Sequence, residues 1–593
     1  MIRLDKLSLR AWYLFPVSVG VALVCVYFLP FYFPPSHPAL SQSYVVGYNN
    51  TVASVSLALI SVLVALLSLR RNGVAPRNFK REPMVPWPWL VGALVLVAAW
   101  NGGLSWLVFA THNYGVEDFY FLPQLEKFYY LHRHLYRDID FCYGQLLFYP
   151  PVWVHWLLTP FHISLRASYY IAFLLHHILG VGMLFFVVNR LPMPRDMRVA
   201  AFACITLFSF NPALGANYAL LRYMLPIFLF VLFFRIERPA AAAAAAAVAQ
   251  ILTWLDSSEQ AICFCFAVVV YCCYRAWQQR NPLWLMPIAG LLSGAGLYFV
   301  FTDPNVLSSL AHRSGWGNQV PLPSLEVITL IVATVWLVPR LVARHLSQET
   351  PQSGLLLGLY ALGLGLLPAS LGGSDIIHIT GNSAVLFLLS LVAVGEWKLP
   401  IRGLWTVVVA ATYLLMAGRW YSEVHRHFYP YVACIDDHVA PLAARLPSGM
   451  ASRLVAFEQK WPCYSQPLDV AALHAAIGDA PFASPYPMPE IVEETLPQLP
   501  NFIPSYWHWG IDLWDAKTQQ KKIDELRQVQ WALFQAPPWS SPINPDLNER
   551  FALPTHYRVI HPIYLNGLVA NEMNENWKLA GHIGNYLLYR RIR

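Results

Sequence analysis

The feature of this sequence that most constrains its fold is a series of apolar stretches, each close to the length of a membrane-spanning helix. A helix of about 20 residues crosses the roughly 30 Å hydrocarbon layer of a bilayer. Hydrophobic residues make up 57% of the 593 residues and charged residues only 12%. A soluble domain could not bury so much apolar surface. The sequence therefore predicts a polytopic helical membrane protein.

Thirteen spans are predicted in the first 418 residues. They cover residues 12–33, 51–69, 87–110, 168–189, 199–214, 219–235, 240–255, 260–274, 283–301, 323–339, 354–371, 382–396 and 402–418. The first of them is too long for a signal-peptide core and lacks a small-residue cleavage site, so we expect it to be retained. The run Ala240–Ala247 follows Pro239, which predicts the start of a helix with a small-residue packing face.

The composition changes after residue 418, and this change predicts two domains. Residues 1–418 are predicted to form an all-α polytopic membrane domain, with interfacial helices in its first long outer loop, and residues 419–593 a soluble mixed α/β domain. In this tail, helical spacing of apolar residues predicts a helix from Asp515 to Phe534. Cys434 and Cys463, the only cysteines of the tail, are predicted to form a disulfide, with two independent buried thiols as the alternative.

The distribution of Arg and Lys predicts the orientation. The segment Leu146–Phe161 is apolar but short and rich in Pro and Trp, so we expect it to lie at the membrane interface. Nineteen basic residues then fall on one side of the membrane before the tail, and six on the other: Lys127, Arg133, Arg137, Arg166, Arg222 and Arg313. The positive-inside rule predicts a cytoplasmic N-terminus and, because thirteen is odd, a tail outside.

Most acidic residues of the membrane region fall on the predicted outer face. Glu117-Asp118 follow the third span closely, and this pair fits a general base, a divalent-metal site or simply solvated loop acids. Asp138 and Asp140, further along the same loop, fit ordinary loop acids. Asp375 and His378 are three residues apart and can share a helical face; the alternative is a polar cap between two spans.

The order of these motifs resembles the C-type glycosyltransferase superfamily, whose polytopic members take sugars from polyprenyl-phosphate carriers. The pieces that carry the resemblance are Glu117-Asp118, Leu135-Tyr136-Arg137-Asp138, Tyr143-Gly144-Gln145-Leu146, Arg222-Tyr223, Ser257-Ser258-Glu259 and Asp375-Ile376-Ile377-His378. Gln145 stands where the superfamily usually has proline, and two additional spans precede the acidic loop. The resemblance covers roughly residues 86–420.

The resemblance implies a hexosyl- or pentosyltransferase that moves a sugar from a polyprenyl-phosphate-linked donor to a glycan, lipid or protein acceptor. It places Glu117 or Asp118 as the general base, with a divalent metal held by the same pair as an open alternative. Arg222, Arg313, His378 and Arg133 are the candidates for binding the phosphate, and Glu259 and Asp375 are further substrate-binding candidates. The expected location is a bacterial cytoplasmic membrane, with the tail outside.

Two other classes of function stay open at this stage. A transporter or flippase for lipid or glycan needs a polar path through the spans, and the only mid-span ionisable residues are His176 and His177. A non-catalytic membrane scaffold would not bring Glu117, Asp118 and Asp375 together. Nucleic acid is not expected as a partner, because the basic residues flank spans and form no basic face.

Overall fold

A computed structural model of the chain describes residues 6–35, 43, 47–69, 83–110, 118–139, 141, 143–306, 320–373, 376–395, 397, 399–427, 469–484, 502–504, 516–535, 572, 575–584 and 586–592. The described part is mostly helical and ends in a small β-sheet. Its helices before the tail are α1 (Lys6–Tyr27), α2 (Leu29–Tyr32), α3 (Asn50–Leu69), α4 (Trp87–Ala110), α5 (Asp118–Tyr129), α6 (Gln145–Leu158), α7 (Leu165–Val188), α8 (Arg195–Thr206), α9 (Leu220–Phe233), α10 (Pro239–Asp256), α11 (Ser258–Gln279), α12 (Met286–Phe301), α13 (Leu325–Val332), α14 (Val338–Ser347), α15 (Ser353–Gly365), α16 (Leu367–Gly373), α17 (Ile376–Asn382), α18 (Ala384–Val394) and α19 (Leu399–His427).

Nine helices of the described residues are long and apolar enough to cross a membrane, or up to ten if the pair α17 and α18, bent by 62°, is one span. Each of the nine, and the bent pair, coincides with a predicted span. The remaining three predictions, at 12–33, 199–214 and 219–235, fall on shorter or broken helices, so length and composition do not reach the predicted count of thirteen. The polytopic helical architecture is confirmed at this coarser level.

The predicted span 199–214 is replaced by α8 and two 3-10 turns, Leu207–Phe210 and Ala216–Tyr218. The 12 residues of α8 reach only about 18 Å at the rise of an α-helix. The broken backbone after α8 is buried, and Asn211 satisfies part of it: its side chain donates to the Phe208 carbonyl at 2.6 Å. Irregular backbone is tolerated at membrane depth where protein surrounds it.

The alanine run of α10 is a packing face, as predicted. Gly290 and Gly294 of α12 lie so close to it that an added Cβ would stand 2.1 Å from the Ala243 carbonyl oxygen and 2.4 Å from that of Ala247. Two glycines four residues apart therefore let the backbones of α10 and α12 meet. Small residues serve this purpose between helices in lipid.

The helix ends sort into two groups that match the predicted faces. At one end, which we call the site end, the Gly144 N–H donates to the Asp256 carbonyl at 3.1 Å and Gln145 donates to Thr302 at 3.4 Å. At the opposite end, Arg402 and Asp196 form an ion pair of 2.6 Å. Of the residues predicted for the outer face, Gly144, Asp256 and Thr302 thus meet at one end, while the choice of the outer face stays a prediction.

The tail contains a five-stranded mixed sheet with two helices. Its elements are α20 (Val470–Ile477), β1 (Phe482–Ser484), β2 (Phe502–Pro504), α21 (Ala516–Arg527), β3 (Trp531–Gln535), β4 (Trp577–Ile583) and β5 (Tyr586–Arg591). The strand order is β2-β1-β3-β5-β4; β1 pairs in parallel with β2 and β3, and β5 pairs antiparallel with β3 and β4.

The prediction of one helix from 515 to 534 was wrong in its last third. The helix ends at Arg527, and residues 531–535 form β3, which pairs with β5 from Trp531 opposite Arg590 to Gln535 opposite Tyr586. Of the predicted apolar stripe, Ile523, Leu526 and Val529 are buried together against the sheet. Leu533, its fourth member, belongs to β3 and is buried in a separate cluster with Leu473 and Phe482. Tertiary pairing overrode the helical spacing in the last turns.

The tail touches the membrane domain through the segment that follows α5. Tyr130 and Leu131 pack against the tail core that contains Leu473, Phe482 and Leu533. The described part of the tail therefore lies on the same side as the loop that begins with the acidic pair. Cys434 and Cys463 lie outside the described residues, so their disulfide remains a prediction.

Candidate active site

A buried arginine forms the centre of the site end. Arg222 lies in the first turn of α9 and is 3% exposed. Its Nη1 donates to the backbone carbonyl of Asn217 at 3.2 Å, an acceptor presented by the 3-10 turn just before the helix. The guanidinium carbon is 5.1 Å from the ring centre of Tyr143 and 5.5 Å from that of Tyr223. Aromatic faces stabilise a cation at such distances.

Glu259 forms one hydrogen bond with the guanidinium of Arg222. Its Oε2 accepts from Nη2 of Arg222 at 3.1 Å, from the first turn of α11. The two side chains differ in accessibility, since that of Arg222 is 4% exposed and that of Glu259 is 54% exposed. The Nε of Arg222 has no hydrogen-bond partner within the described part of the chain. The edge formed by Nε and Nη2 is therefore only half used.

A second carboxylate stands near the same arginine. Asp256 is the last residue of α10 and is fully buried, and neither of its carboxylate oxygens has a hydrogen-bond partner among the residues that the structure describes. The positive charge of Arg222 acts on it electrostatically. A buried carboxylate without hydrogen bonds costs several kcal/mol by order of magnitude, so such groups concentrate at functional sites.

The Tyr143-Gly144 motif packs against Arg222 and the backbone of Leu255 and Asp256. An added Cβ at Gly144 would lie 2.1 Å from the Leu255 carbonyl oxygen, so only glycine permits this approach. The Tyr143 hydroxyl accepts from Nδ2 of Asn217 at 3.0 Å. Gln145, which departs from the family pattern, uses its amide to reach Thr302. The motif thus joins the first long loop to α9, α10 and α12.

The acidic pair lies at the start of a helix that packs on this motif. Asp118 is the first residue of α5, and its side chain and the whole of Glu117 lie outside the described residues. Phe121, one turn further along, stacks on Tyr143 with ring centres 5.8 Å apart and planes 15° apart. The first turn of α5 therefore packs on the Tyr143 ring, which lies against Arg222.

The other predicted site residues are distributed unevenly. The His378 ring contacts the Tyr218 ring edge-on at 5.7 Å between centres, which links α17 to the turn that holds Arg222. Arg133 is exposed in the segment after α5, at the end of that helix away from Asp118. Asp375 and Arg313 lie outside the described residues, so their relation to Arg222 is not established.

Asp138 forms a local pair with its neighbour. Its carboxylate accepts from Nε and Nη2 of Arg137 at 3.2 and 3.1 Å and from the backbone N–H of His134 at 2.9 Å. The bonds from Arg137 and then from His134 lower the pKa of Asp138. A carboxylate with a lowered pKa is a weaker base. These contacts favour the prediction that Asp138 is an ordinary loop acid.

The predicted divalent-metal site depends on the acidic pair Glu117-Asp118. Among the described residues no group of three or more His, Cys, Asp or Glu side chains is arranged to hold a metal ion. The side chains of Glu117 and Asp118, the predicted metal-binding pair, lie outside those residues. The divalent metal therefore stays an open alternative.

Two residues of the site were not singled out from the sequence. Asn217 orients both Arg222 and Tyr143. In the sequence it is a single amide residue between the predicted spans 199–214 and 219–235, with nothing around it that indicates a role. The sequence predicted no role for Asp256. Its burial follows from the approach of Gly144, about 110 residues earlier, which no local pattern reveals.

No protein-family model and no curated protein sequence matches this chain. Solved structures of similar shape include the arabinofuranosyltransferase AftD from Mycobacteria, with 13% identity over 87% of this chain and 40% of AftD, and a TM-score of 0.39. Another is the archaeal oligosaccharyltransferase AglB from Archaeoglobus fulgidus, with 11% identity over 81% of this chain and 69% of AglB, and a TM-score of 0.37. Both are membrane glycosyltransferases, and this chain spans about two fifths of the length of AftD. At these TM-scores the overlap is loose, so we base the proposal on this chain's own residues.

Proposed function

We propose that this chain is a membrane glycosyltransferase that moves a sugar from a polyprenyl-phosphate carrier to an acceptor outside the membrane. The observation that carries the proposal is the meeting of two motif pieces, from distant parts of the chain, on the buried Arg222, which belongs to a third. Tyr143-Gly144 and Glu259 come from the first long loop and from α11, and both contact the Arg222 region. A scaffold has no need of a buried cation with an unused hydrogen-bond donor at this position.

The guanidinium of Arg222 suits the phosphate of such a donor. A planar guanidinium binds phosphate oxygens through two parallel N–H donors, and burial strengthens this interaction because little water competes. In glycosyl transfer the bond between the anomeric carbon and the phosphate oxygen breaks, and the electron pair leaves with the phosphate. Arg222 would stabilise that developing charge. His378, linked to the same turn through Tyr218, is a further candidate for the phosphate.

The acceptor hydroxyl must lose a proton while its oxygen forms the new bond to the anomeric carbon. We assign this role to Glu117 or Asp118, because the start of α5 is held close to the Tyr143 ring. The carboxylate takes the proton as the phosphate departs. The acceptor O–H bond and the bond between the anomeric carbon and the phosphate oxygen break, while the new C–O bond and the carboxyl O–H bond form, so charge is conserved. Asp375 is proposed to bind substrate, as its position in the motif Asp375-Ile376-Ile377-His378 implies.

The decisive experiment is sugar transfer by the purified chain in nanodiscs with a panel of polyprenyl-phosphate sugars and an extract of envelope glycans, lipids and proteins as acceptors. We expect radiolabel to move from the lipid donor to an acceptor. Movement of intact donor across the bilayer without transfer would instead identify a transporter or flippase. Neither transfer nor movement in any combination would leave the scaffold as the better interpretation.

The proposed location is the bacterial cytoplasmic membrane, with the site end and the tail outside. The exposed Gln520 of α21 is a suitable reporter of the tail. In a cysteine-depleted variant that carries Gln520→Cys, we expect a membrane-impermeant maleimide to label intact spheroplasts. Labelling only after lysis would place the tail, and with it the site end, in the cytoplasm.

A further inference from the structure

We infer that the Arg222–Glu259 contact is the empty form of a phosphate site, and that Glu259 must leave Arg222 when a prenyl phosphate binds. This inference rests on the proposed function and extends it to how the phosphate enters. Its first support is the single hydrogen bond between the two side chains. Glu259 Oε2 bonds Nη2 at 3.1 Å, while Nε on the same edge has no partner within the described residues.

A phosphate can use this edge more completely than Glu259 does. Its oxygens are spaced to accept from Nε and Nη2 together, the bidentate arrangement that arginine forms with phosphate. Exchange of Glu259 for phosphate would therefore replace one charge-assisted hydrogen bond by two. The gain in hydrogen bonding gives the ligand a reason to displace the side chain that occupies its position.

The two partners are unequal in freedom, and this difference determines which of them moves. Arg222 is enclosed by the rings of Tyr143 and Tyr223, and Nη1 is fixed on the Asn217 carbonyl. The Glu259 side chain is 54% exposed and can turn into solvent. Release of Glu259 thus leaves the orientation of the guanidinium unchanged, so the site needs no rearrangement of the helices.

Asp256 remains beside Arg222 during the exchange, because it is held at the end of a different helix from Glu259. It is fully buried at the end of α10, and its electrostatic interaction with Arg222 does not depend on Glu259. A buried cation without any counter-charge is strongly destabilising. Asp256 is therefore a second carboxyl group that stays beside Arg222 when Glu259 leaves it.

The test measures binding of undecaprenyl phosphate to the chain in nanodiscs, by a change in intrinsic tryptophan fluorescence. We expect Glu259→Gln to bind roughly fivefold more tightly than the wild type, the scale expected for loss of one partly exposed ion pair. Glu259→Asp retains the charge but is one methylene shorter and does not reach Nη2. If displacement is the reason, this variant also binds more tightly; wild-type affinity in Glu259→Asp would show mere repulsion between charges and overturn the inference.

Asp303→Asn is the matched control, because Asp303 is another carboxylate at the site end and its cap on the Asn305 N–H at 2.9 Å can be kept by an asparagine oxygen. We expect unchanged affinity for this variant. Inorganic phosphate should show the same ranking of variants at much lower affinity, and a ranking found with inorganic phosphate alone would remove the lipid as the ligand. Unchanged or weaker lipid binding in Glu259→Gln overturns the exchange.

Sugar transfer and the exchange of Glu259 for phosphate are tested by separate measurements. Sugar transfer by the wild type, with equal prenyl-phosphate affinities in all Glu259 variants, would leave the glycosyltransferase standing and remove the exchange. Tighter prenyl-phosphate binding in both Glu259 variants, with no transfer to any acceptor, would leave the exchange standing and remove the proposed reaction.

Discussion

The two ends of the membrane domain each hold an arginine paired with a carboxylate, and the pairs look alike by distance. Arg222 bonds Glu259 at 3.1 Å at the site end, and Arg402 bonds Asp196 at 2.6 Å at the opposite end. In each pair the carboxylate side chain is 54% exposed. The arginine side chains differ, with 4% exposure for Arg222 and 18% for Arg402.

The surroundings separate the two pairs more clearly than the distances do. Arg222 lies between aromatic rings, faces the buried Asp256 and keeps one donor unused. Arg402 joins α19 to α8, and its contact with Asp196 is an ion pair between two helices. The aromatic enclosure, the second buried carboxyl group and the unused donor together, rather than a short ion pair, mark Arg222 as the candidate ligand site.

The largest expected effect on the rate of sugar transfer comes from the acidic pair Glu117-Asp118. Glu117→Gln or Asp118→Asn should lower the rate of sugar transfer by about 10²–10⁴-fold, the usual contribution of a general base. The matched control is Asp138→Asn in the same loop, whose carboxylate has a lowered pKa because of Arg137 and is expected to leave the rate unchanged.

The measurement is single-turnover transfer from a polyprenyl-phosphate sugar at matched folded concentration. Equal rates for the wild type and for both Glu117 and Asp118 variants would remove this pair from the mechanism. The base would then be sought at Glu259 or Asp375, the other acids predicted for this face.

Removal of the buried cation should have the next largest effect. Arg222→Gln is expected to lower the transfer rate by about 10²–10³-fold, as for loss of one donor that stabilises the leaving charge. Because the side chain is buried beside two carboxylates, folding is checked by size-exclusion profile and tryptophan emission before rates are compared. A folded Arg222→Gln variant with a wild-type rate would place the phosphate elsewhere and make the two ends of the domain functionally alike.

The close approach of Gly144 provides a third way to test the site end. Gly144→Ala inserts a methyl group into the Leu255–Asp256 backbone, and overpacking of this kind costs about 1–3 kcal/mol of stability. The control is Gly182→Ala in α7, where an added Cβ meets nothing within 4 Å. We expect a lower apparent Tm and lower transfer for the first variant only. Equal Tm values would mean that the loop and α10 separate more easily than this contact implies.

Much of the site could be predicted because its motifs are local in sequence. Tyr143-Gly144, Arg222 and Glu259 each belong to a short motif with a fixed place relative to a span, and the structure brings them together. Asn217 and the burial of Asp256 could not be predicted in this way. They depend on contacts between loops and helices far apart in the chain, which spacing does not encode.

The fold shows the same division between local and distant causes. Nine predicted spans coincide with long apolar helices, because hydropathy over about 20 residues is a local property. The segment 199–214 and the end of the predicted helix 515–534 depart from the prediction. In the first, surrounding helices bury an irregular backbone, and in the second, pairing with β5 draws residues 531–535 into a strand.

The smallest effect is expected at the opposite end of the membrane domain. Because Asp196 is largely exposed and Arg402 only partly buried, their ion pair should contribute at most about 1 kcal/mol to stability. A double-mutant cycle of Arg402→Gln and Asp196→Asn, measured as apparent Tm in nanodiscs, should give a coupling of that size or less.

Sugar transfer should remain at the wild-type rate in all three variants, since the pair touches no residue of the site. A loss of transfer in Arg402→Gln with unchanged Tm would show that the two ends are coupled through α8 and α19. The contrast with Arg222 would then be one of distance from the chemistry rather than of role.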